Sequence, residues 1–494
     1  MHNPKNNIRR TTTMRKRICL ALLVCAMLTG CGGNTEIETE KSGGDTASES
    51  VETAPETEIW QNVPAGSYDG YGFRFLTTEE NWGYWHMDVE EQTGDALDDA
   101  VFARNLAVEE RLGVTITEKS LHYSKVMDEV KATILASEDA YDAMTLMAYN
   151  LMTTAQQKML LDTAALTEIR TDMPWWNGNA IRDMAIGPRE YMMIGDVNLM
   201  FYESYYAVFF NKAVAEKFRI PDPYATVDEG KWTYDVYYST AQAASTDVNG
   251  DGEWTADADT YGVAMHSNAG QSMILALGQS PLGRDADGYP VYSGLSEAFI
   301  DAYRKVMTLY TDKHTTVKSG TAGVEKVDGG YQGVFKTDRA LYMMEVLGTL
   351  PELRDMESEF GIVVLPKADE GAAYASPVYH GAIGLCVPVT VSDVDRCAVV
   401  LENLAAESYH TVRGVYYDVV LGSKLVRDEA SVSSLDTILD SGRFEIAYVY
   451  NWGDMRAALE QNIGKGNADI ASAFAKISAK IESGIAADIA VFNE

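Results

Sequence analysis

Apolar and polar positions along the chain change period several times, and each change marks an element. Residues 73–77, Phe-Arg-Phe-Leu-Thr, alternate and predict a strand. From about Asp95, Leu97, Val101, Val108 and Leu112 recur at helical spacing, and Gly113 stands where a helix stop is expected. Residues 114–117 predict the next strand, 123–136 the next helix, and the fully apolar 143–148 a third strand. Strand and helix alternating with short joints predict right-handed crossovers and a parallel sheet covered on both faces. Ligands meet such sheets at the loops beyond the carboxyl ends of the strands. Two loops qualify: residues 78–86 after the first strand and Tyr149-Asn150 after the third.

After Trp175-Trp176 and a short helix, residues 191–194 and 205–211 read as strands. A helix over 212–218, a turn at Pro221-Asp222-Pro223 and an amphipathic helix opened by Trp232-Thr233 follow. Residues 296–310 predict a further helix, 340–346 and 361–364 strands, Asp369-Glu370-Gly371 a turn, and 380–387 an apolar strand. From Asp393 the pattern is largely helical to the end.

One apolar run has a different meaning. Arg15, Lys16 and Arg17 precede about ten apolar residues, and Leu28-Thr29-Gly30-Cys31 closes the run with small residues. This is the form of a secretory signal, too short to span a membrane. Its end resembles the bacterial lipobox, which implies a signal peptide over 1–30, within which Met14 begins a normal signal by itself, and Cys31 as the lipidated first residue of the mature chain, with an acyl lipid such as palmitate as its membrane anchor. Residues 32–67, rich in Gly, Ser, Thr and Glu, lack the apolar surface to fold and predict an extended tether over 31–67.

The net charge of −33 becomes −39 once the six basic residues ahead of Cys31 leave with the signal. Such a field repels nucleic-acid phosphates and anionic headgroups, and leaves neutral molecules, cations or basic protein surfaces as partners. Of five cysteines, Cys19 and Cys25 lie in the signal and Cys31 at its end; Cys386 and Cys397 read as small buried residues rather than a disulfide. Nucleophile-elbow, zinc-helix and phosphate-loop motifs are absent from the sequence, and the seven histidines form no metal-ligand spacing. Asp247-Val-Asn249-Gly-Asp251-Gly-Glu253 opens like a calcium loop, with oxygen ligands at alternating positions. Its twelfth position is Ala258, flanked by Asp257 and Asp259, so a static structural calcium clip is the expectation rather than a sensor, against an acidic turn.

Several local motifs resemble the sugar-binding solute receptors of bacterial ABC importers, across nearly all of the chain after the tether. They are Tyr141-Asp142 entering the third strand, Leu161-Asp162-Thr163, Phe209-Phe210-Asn211-Lys212 with Phe218-Arg219-Ile220-Pro221, Phe335 to Leu341, and Val364-Leu365-Pro366. Lys231-Trp232-Thr233 departs from the family's usual threonine-tryptophan. The resemblance implies an α/β fold of two lobes, each a mainly parallel sheet flanked by helices, joined by three crossings near Glu203, residues 376–380 and residues 421–427. It divides the chain into 68–203 plus 378–425 and 204–377 plus 426–494. It further implies a lipid-anchored, extracytoplasmic, monomeric and non-catalytic receptor, without a required cofactor, that delivers a neutral sugar to a membrane permease. Sugar rings stack on aromatic faces while their hydroxyls seek carboxylates and amides. The expected ligand residues are therefore Trp82, Tyr84, Trp85, Tyr149, Asn150, Trp175, Trp176, Glu203, Tyr205, Tyr379, His380 and Trp452, with Tyr450 beside the last. The residues themselves leave open a surface glycoside hydrolase or lyase and a calcium-stiffened adhesion lipoprotein.

Overall fold

The computed structural model describes residues 62–80, 83–422 and 429–493; the signal, Cys31, most of the tether and Trp82 lie outside them. Packed chain begins earlier than the composition suggests. Val63 is 5% exposed, and the Pro64 carbonyl accepts from Asn403 Nδ2 at 2.9 Å, so residues 62–67 lie against the folded part rather than in the tether.

The first sheet forms as the pattern predicts. Tyr71–Glu79 pairs in parallel with Val114–His122 over nine positions and with Ala143–Met147 on its other side. Between the first two strands runs the helix Ala96–Leu112. Asp95 caps it by accepting from the Leu97 and Asp98 N–H groups, and Gly113, at φ 63°, ends it in the left-handed conformation that glycine adopts without strain. The Ala143–Met147 strand is buried at every position because strands flank it on both sides and helices cover both faces. Ile383–Cys386 adds antiparallel to its free edge. The strand expected at 191–194 reduces to a single bridge, Met193 to Leu385, on the outer edge of Ile383–Cys386. Tyr149 and Asn150 are in no loop: the helix Ala148–Gln156 starts directly off the strand and holds them in its first turn.

A second sheet takes the order Phe360–Val363, Tyr206–Asn211, Ala340–Val346, Tyr261–Ala264, Thr316–Val317. Its first two pairings are antiparallel and its last two parallel. It is thus mixed rather than mainly parallel, because Tyr206–Asn211 enters from a crossing and not through a strand-helix-strand unit. Tyr261–Ala264 and Thr316–Val317 carry no alternation of their own and went unpredicted; both are buried, and burial on both faces removes the period.

The two sheets form the two lobes of the fold, and the stretches that join them run side by side. Tyr205 bridges Val378, and the Tyr379 N–H donates to Ser204 O at 2.8 Å. Ser376–Pro377 in turn pairs with Gly442–Arg443. The helix Val412–Gly422 packs against Ala96–Leu112 of the first lobe, and in the helix Glu429–Asp440 the Ser434 hydroxyl donates to Ile362 O of the second sheet at 2.6 Å. Most of the third expected crossing falls outside the described residues.

Candidate functional site

At the carboxyl edge of the first sheet, the turn after Tyr71–Glu79 is held by a carboxylate from the first crossing. The Tyr84 N–H donates to Glu203 Oε2 at 2.6 Å. Gly83 is required there: it has φ 80°, and a Cβ would stand 2.2 Å from the same oxygen. The Tyr84 hydroxyl donates to Asp98 Oδ1 at 2.9 Å, which ties the turn to the start of the following helix. Trp85 and Tyr149 both pack on an apolar floor of Met147, Met200 and Ile383. The Trp85 indole N–H is buried and has no partner.

The second sheet presents a polar edge. At the end of Ala340–Val346, Glu345 accepts from the Tyr331 hydroxyl at 2.6 Å and stands 3.4 Å from His266 Nε2. Burial alone would raise the Glu345 carboxyl, but His266, Tyr331 and the Val346 N–H outweigh it and hold the group below its ordinary value. The rings of Tyr206 and Tyr331 lie 6.2 and 6.3 Å from the His266 ring. Arg456, on the helix Met455–Gly464, acts electrostatically on Tyr149 of the first lobe, on Tyr379 and His380 of the second crossing, and on Glu460. His380 is kept neutral, its pKa lowered to about 3 by burial and then by Arg456, and its Nδ1 lies 3.5 Å from Gln271 Nε2. Gln271 Oε1 and Arg456 Nε are buried without partners.

Two hollows border these groups. One, of about 240 Å³, lies between Tyr149, Met152 and Gln156 on one side and Tyr450, Asn451 and Arg456 on the other. The other, of about 420 Å³, has walls from the 83–86 turn, the start of the Ala96–Leu112 helix, and Leu347 to Arg354 of the second lobe, with Glu203 between them.

The structure thus brings together Tyr84, Trp85, Tyr149, Glu203, Tyr379 and His380; Trp82 lies outside the described residues, Asn150 follows Tyr149 in the first turn of its helix, and Trp175, Trp176, Tyr205 and Trp452 are committed elsewhere. Trp175 and Trp176 are 2% and 5% exposed, and their indole N–H groups donate to Glu402 at 2.9 and 2.8 Å. They support the helix Val394–His410 and border a separate hollow of about 680 Å³ with Tyr409 and Arg413. Tyr205 is fully buried in the crossing, its hydroxyl accepting from Asn177 Nδ2 at 2.6 Å. Trp452 stacks on Tyr450 at 4.5 Å with its indole committed to Asp488 at 2.6 Å, so that Tyr450, not Trp452, faces the smaller hollow. His266, Tyr331, Glu345, Arg456 and Tyr416 join the site without having been singled out; none carries a motif, and only their position at strand ends or helix faces turned to the other lobe marks them.

The loop expected to hold calcium is a hydrogen-bonded turn. Asp247 accepts from the Gly250 and Gly252 N–H groups, Asp251 from Glu253, and Asp259 from Val248 and Thr255. Asn249 is bonded to Asp251, and Asp257 pairs with Lys326 at 2.9 Å. Among the described residues no group of three or more acidic, histidine or cysteine side chains is placed to hold a metal. Short carboxylates in a Gly-rich turn satisfy the turn's own donors, and that local use competes with a shared metal.

A comparison with protein-family models finds no match, and a comparison with curated proteins finds none either. Solved structures do match along the chain. A sugar transporter protein of Rhizobium etli in an open conformation is 14% identical with a TM-score of 0.57, over 84% of this chain and 99% of that one. The cyclic alpha-maltosyl-1,6-maltose binding protein of Arthrobacter globiformis is 12% identical with a TM-score of 0.57, again over 84% and 99%. UgpB of Mycobacterium tuberculosis, solved with glycerophosphocholine, is 17% identical with a TM-score of 0.53, over 86% and 100%. At these identities the likeness establishes the fold, the two-lobed α/β architecture of ABC-importer solute-binding proteins.

Proposed function

We propose that this chain, on that two-lobed fold, is a non-catalytic extracytoplasmic receptor that captures a carbohydrate between its lobes and delivers it to an ABC importer permease, anchored by lipid on Cys31. The observation that carries the reading is the pairing of unlike edges. The first lobe offers an indole and a phenol over an apolar floor, and the second offers Glu345, His266, Tyr331 and Arg456. A sugar ring has apolar C–H faces and a polar rim, so it suits one edge with each. Ligand contacts to both lobes exist only when the lobes approach, and this differential contact is what drives closure of a hinged receptor. The side-by-side crossings at 204–205 and 376–379 are narrow enough to serve as that hinge. The neighbours named for maltosyl and glycerophospho ligands support a polar, hydroxylated solute.

A thermal-shift screen against neutral oligosaccharides tests the reading. A ligand at 100 times its Kd adds about 2.7 kcal/mol to stability, and a rise in melting temperature of that origin is expected for at least one sugar. Calorimetry with that sugar at pH 8, above the raised pKa of about 7 at Glu203, should show Glu203→Gln binding about tenfold more weakly, as expected for loss of a charge-assisted hydrogen bond, with the fold intact. A screen in which no sugar moves the transition rejects carbohydrate capture. Anchoring is tested separately: Cys31→Ser should appear in the medium or remain unprocessed, and unchanged membrane retention rejects the lipid assignment.

A further inference from the structure

The 420 Å³ hollow at one end of the cleft is lined by two residues that each carry a buried polar group the folded chain leaves unsatisfied. One is the Trp85 indole N–H; the other is the hydroxyl of Tyr416, a residue 2% exposed on the helix Val412–Gly422. Buried polar groups are ordinarily hydrogen-bonded, and two orphans lining one hollow point to a partner that arrives from outside. Glu203 lines the same space, with one oxygen already accepting from Tyr84. The Tyr416 ring is fixed against Tyr202, 5.9 Å away, so its hydroxyl is held in position before any ligand enters. Leu97 on one side and Leu347, Leu350 and Pro351 on the other supply apolar walls.

The chemistry of these groups narrows the occupant. An indole N–H only donates, a carboxyl accepts and, while it keeps its proton, also donates, and a phenol does either. A cation would suit Glu203 but leave Trp85 without an acceptor. An anion would suit Trp85, Arg354 and His86, but Asp95, Asp98 and Glu203 line the same hollow and oppose it. Adjacent hydroxyls on a neutral ring both donate and accept, and their apolar ring faces match the walls.

We infer that this hollow is a hydroxyl-reading subsite for a neutral sugar ring, in which Tyr416 and Trp85 determine specificity. The inference rests on the carbohydrate reading above and adds to it a residue on the helix that leads into the third crossing. A site built to bond a hydroxyl discriminates strongly against analogues that lack or replace it, because its own groups are then left unpaired.

The test is calorimetry of wild type and Tyr416→Phe with maltotriose, xylotriose and mannotriose, and with trigalacturonate and the trisaccharide of glucosamine as charged counterparts. Tyr416→Phe removes only an unpartnered hydroxyl, so the ligand-free melting temperature should be unchanged or higher. Affinity for the neutral trisaccharide that binds tightest should fall about 3- to 10-fold, the range for one neutral hydrogen bond. Both charged counterparts should bind the wild type far more weakly than the neutral one. Equal affinity of the variant and the wild type, with the wild type binding, overturns the subsite while the carbohydrate reading stands. A charged counterpart that binds as tightly overturns the selectivity, and a wild type that binds no neutral trisaccharide overturns the carbohydrate reading and the subsite together.

Discussion

Replacing Glu402 with alanine is expected to lower stability by about 3–6 kcal/mol, a large part of the 5–15 kcal/mol typical of a folded domain. The carboxylate is fully buried in the helix Val394–His410 and accepts three donors: the indoles of Trp175 and Trp176 and the Arg170 N–H at 3.1 Å. Alanine leaves two buried indole N–H groups without partners, each at a cost of about 1–3 kcal/mol, and adds a small cavity. Glutamine keeps one acceptor and turns an amide donor toward the other indole, so Glu402→Gln should lose roughly half as much. Urea unfolding at neutral pH measures both. An alanine variant within about 1 kcal/mol of wild type would show that the carboxylate does not hold the two tryptophans in place.

Stability should also fall as pH rises from 5 to 8. Three buried carboxyls around the crossings are raised, foremost by burial: Asp196 from 3.8 to about 8, and Glu203 and Glu445 from 4.5 to about 7. Arg413 opposes the shift at Asp196 and Asp440 adds to it; the Tyr84 N–H opposes it at Glu203; Ser280, the Ala447 N–H and Arg284 oppose it at Glu445, where Asp183 adds to it. In the unfolded chain such groups are ionised by about pH 5, whereas the native chain retains their protons to pH 7 or 8. The native state therefore binds more protons across this window. Stability is highest below the unfolded value, is lost as pH rises through the folded value, and levels off above it. His86, raised by neighbouring Glu118, acts in the same direction. His380, held near 3, opposes it below about pH 6.5, where the unfolded imidazole takes a proton that the native one refuses. Three carboxyls and His86 against one imidazole leave a net decline, with each carboxyl contributing on the order of 1–3 kcal/mol. Melting temperatures at pH 5.5 should exceed those at pH 8, and Asp196→Asn should flatten the profile by stabilising the protein at pH 8. A wild-type profile that is level from pH 5 to 8 would contradict the burial of these groups.

How much of this was legible depends on how far each feature reaches along the chain. Asp95, the apolar positions of Ala96–Leu112 and Gly113 are neighbours in sequence, and the capped helix follows from them directly. The alternation in 73–77 and the unbroken apolar run in 143–148 separate a half-covered strand from a central one, and both strands form. The candidate cleft was legible as a place, the carboxyl ends of the first-lobe strands and the first crossing, but its membership was not. Trp175 and Trp452 looked as eligible as Trp85, since an aromatic residue near a turn has the same local appearance whether it faces a cleft or a core.

By itself, the sequence determined the strands and helices whose periods of two or 3.6 residues and caps lie within the element, as in Tyr71–Glu79 and Ala96–Leu112. It also determined that the first three strands pair in parallel, because short strand-helix-strand units allow little else. Only the tertiary structure decided which side chains are left free to act. Whether an indole is available depends on a carboxylate elsewhere in the chain: Glu402 is 227 residues from Trp175, and the Tyr84 N–H and its Glu203 acceptor are 119 residues apart. Hydrogen-bond partners at such separations are set by how the sheets and crossings pack, and no local pattern encodes them. The same packing committed Trp175, Trp176 and Trp452 to the interior and placed Trp85 and Tyr416 in the lining of one hollow.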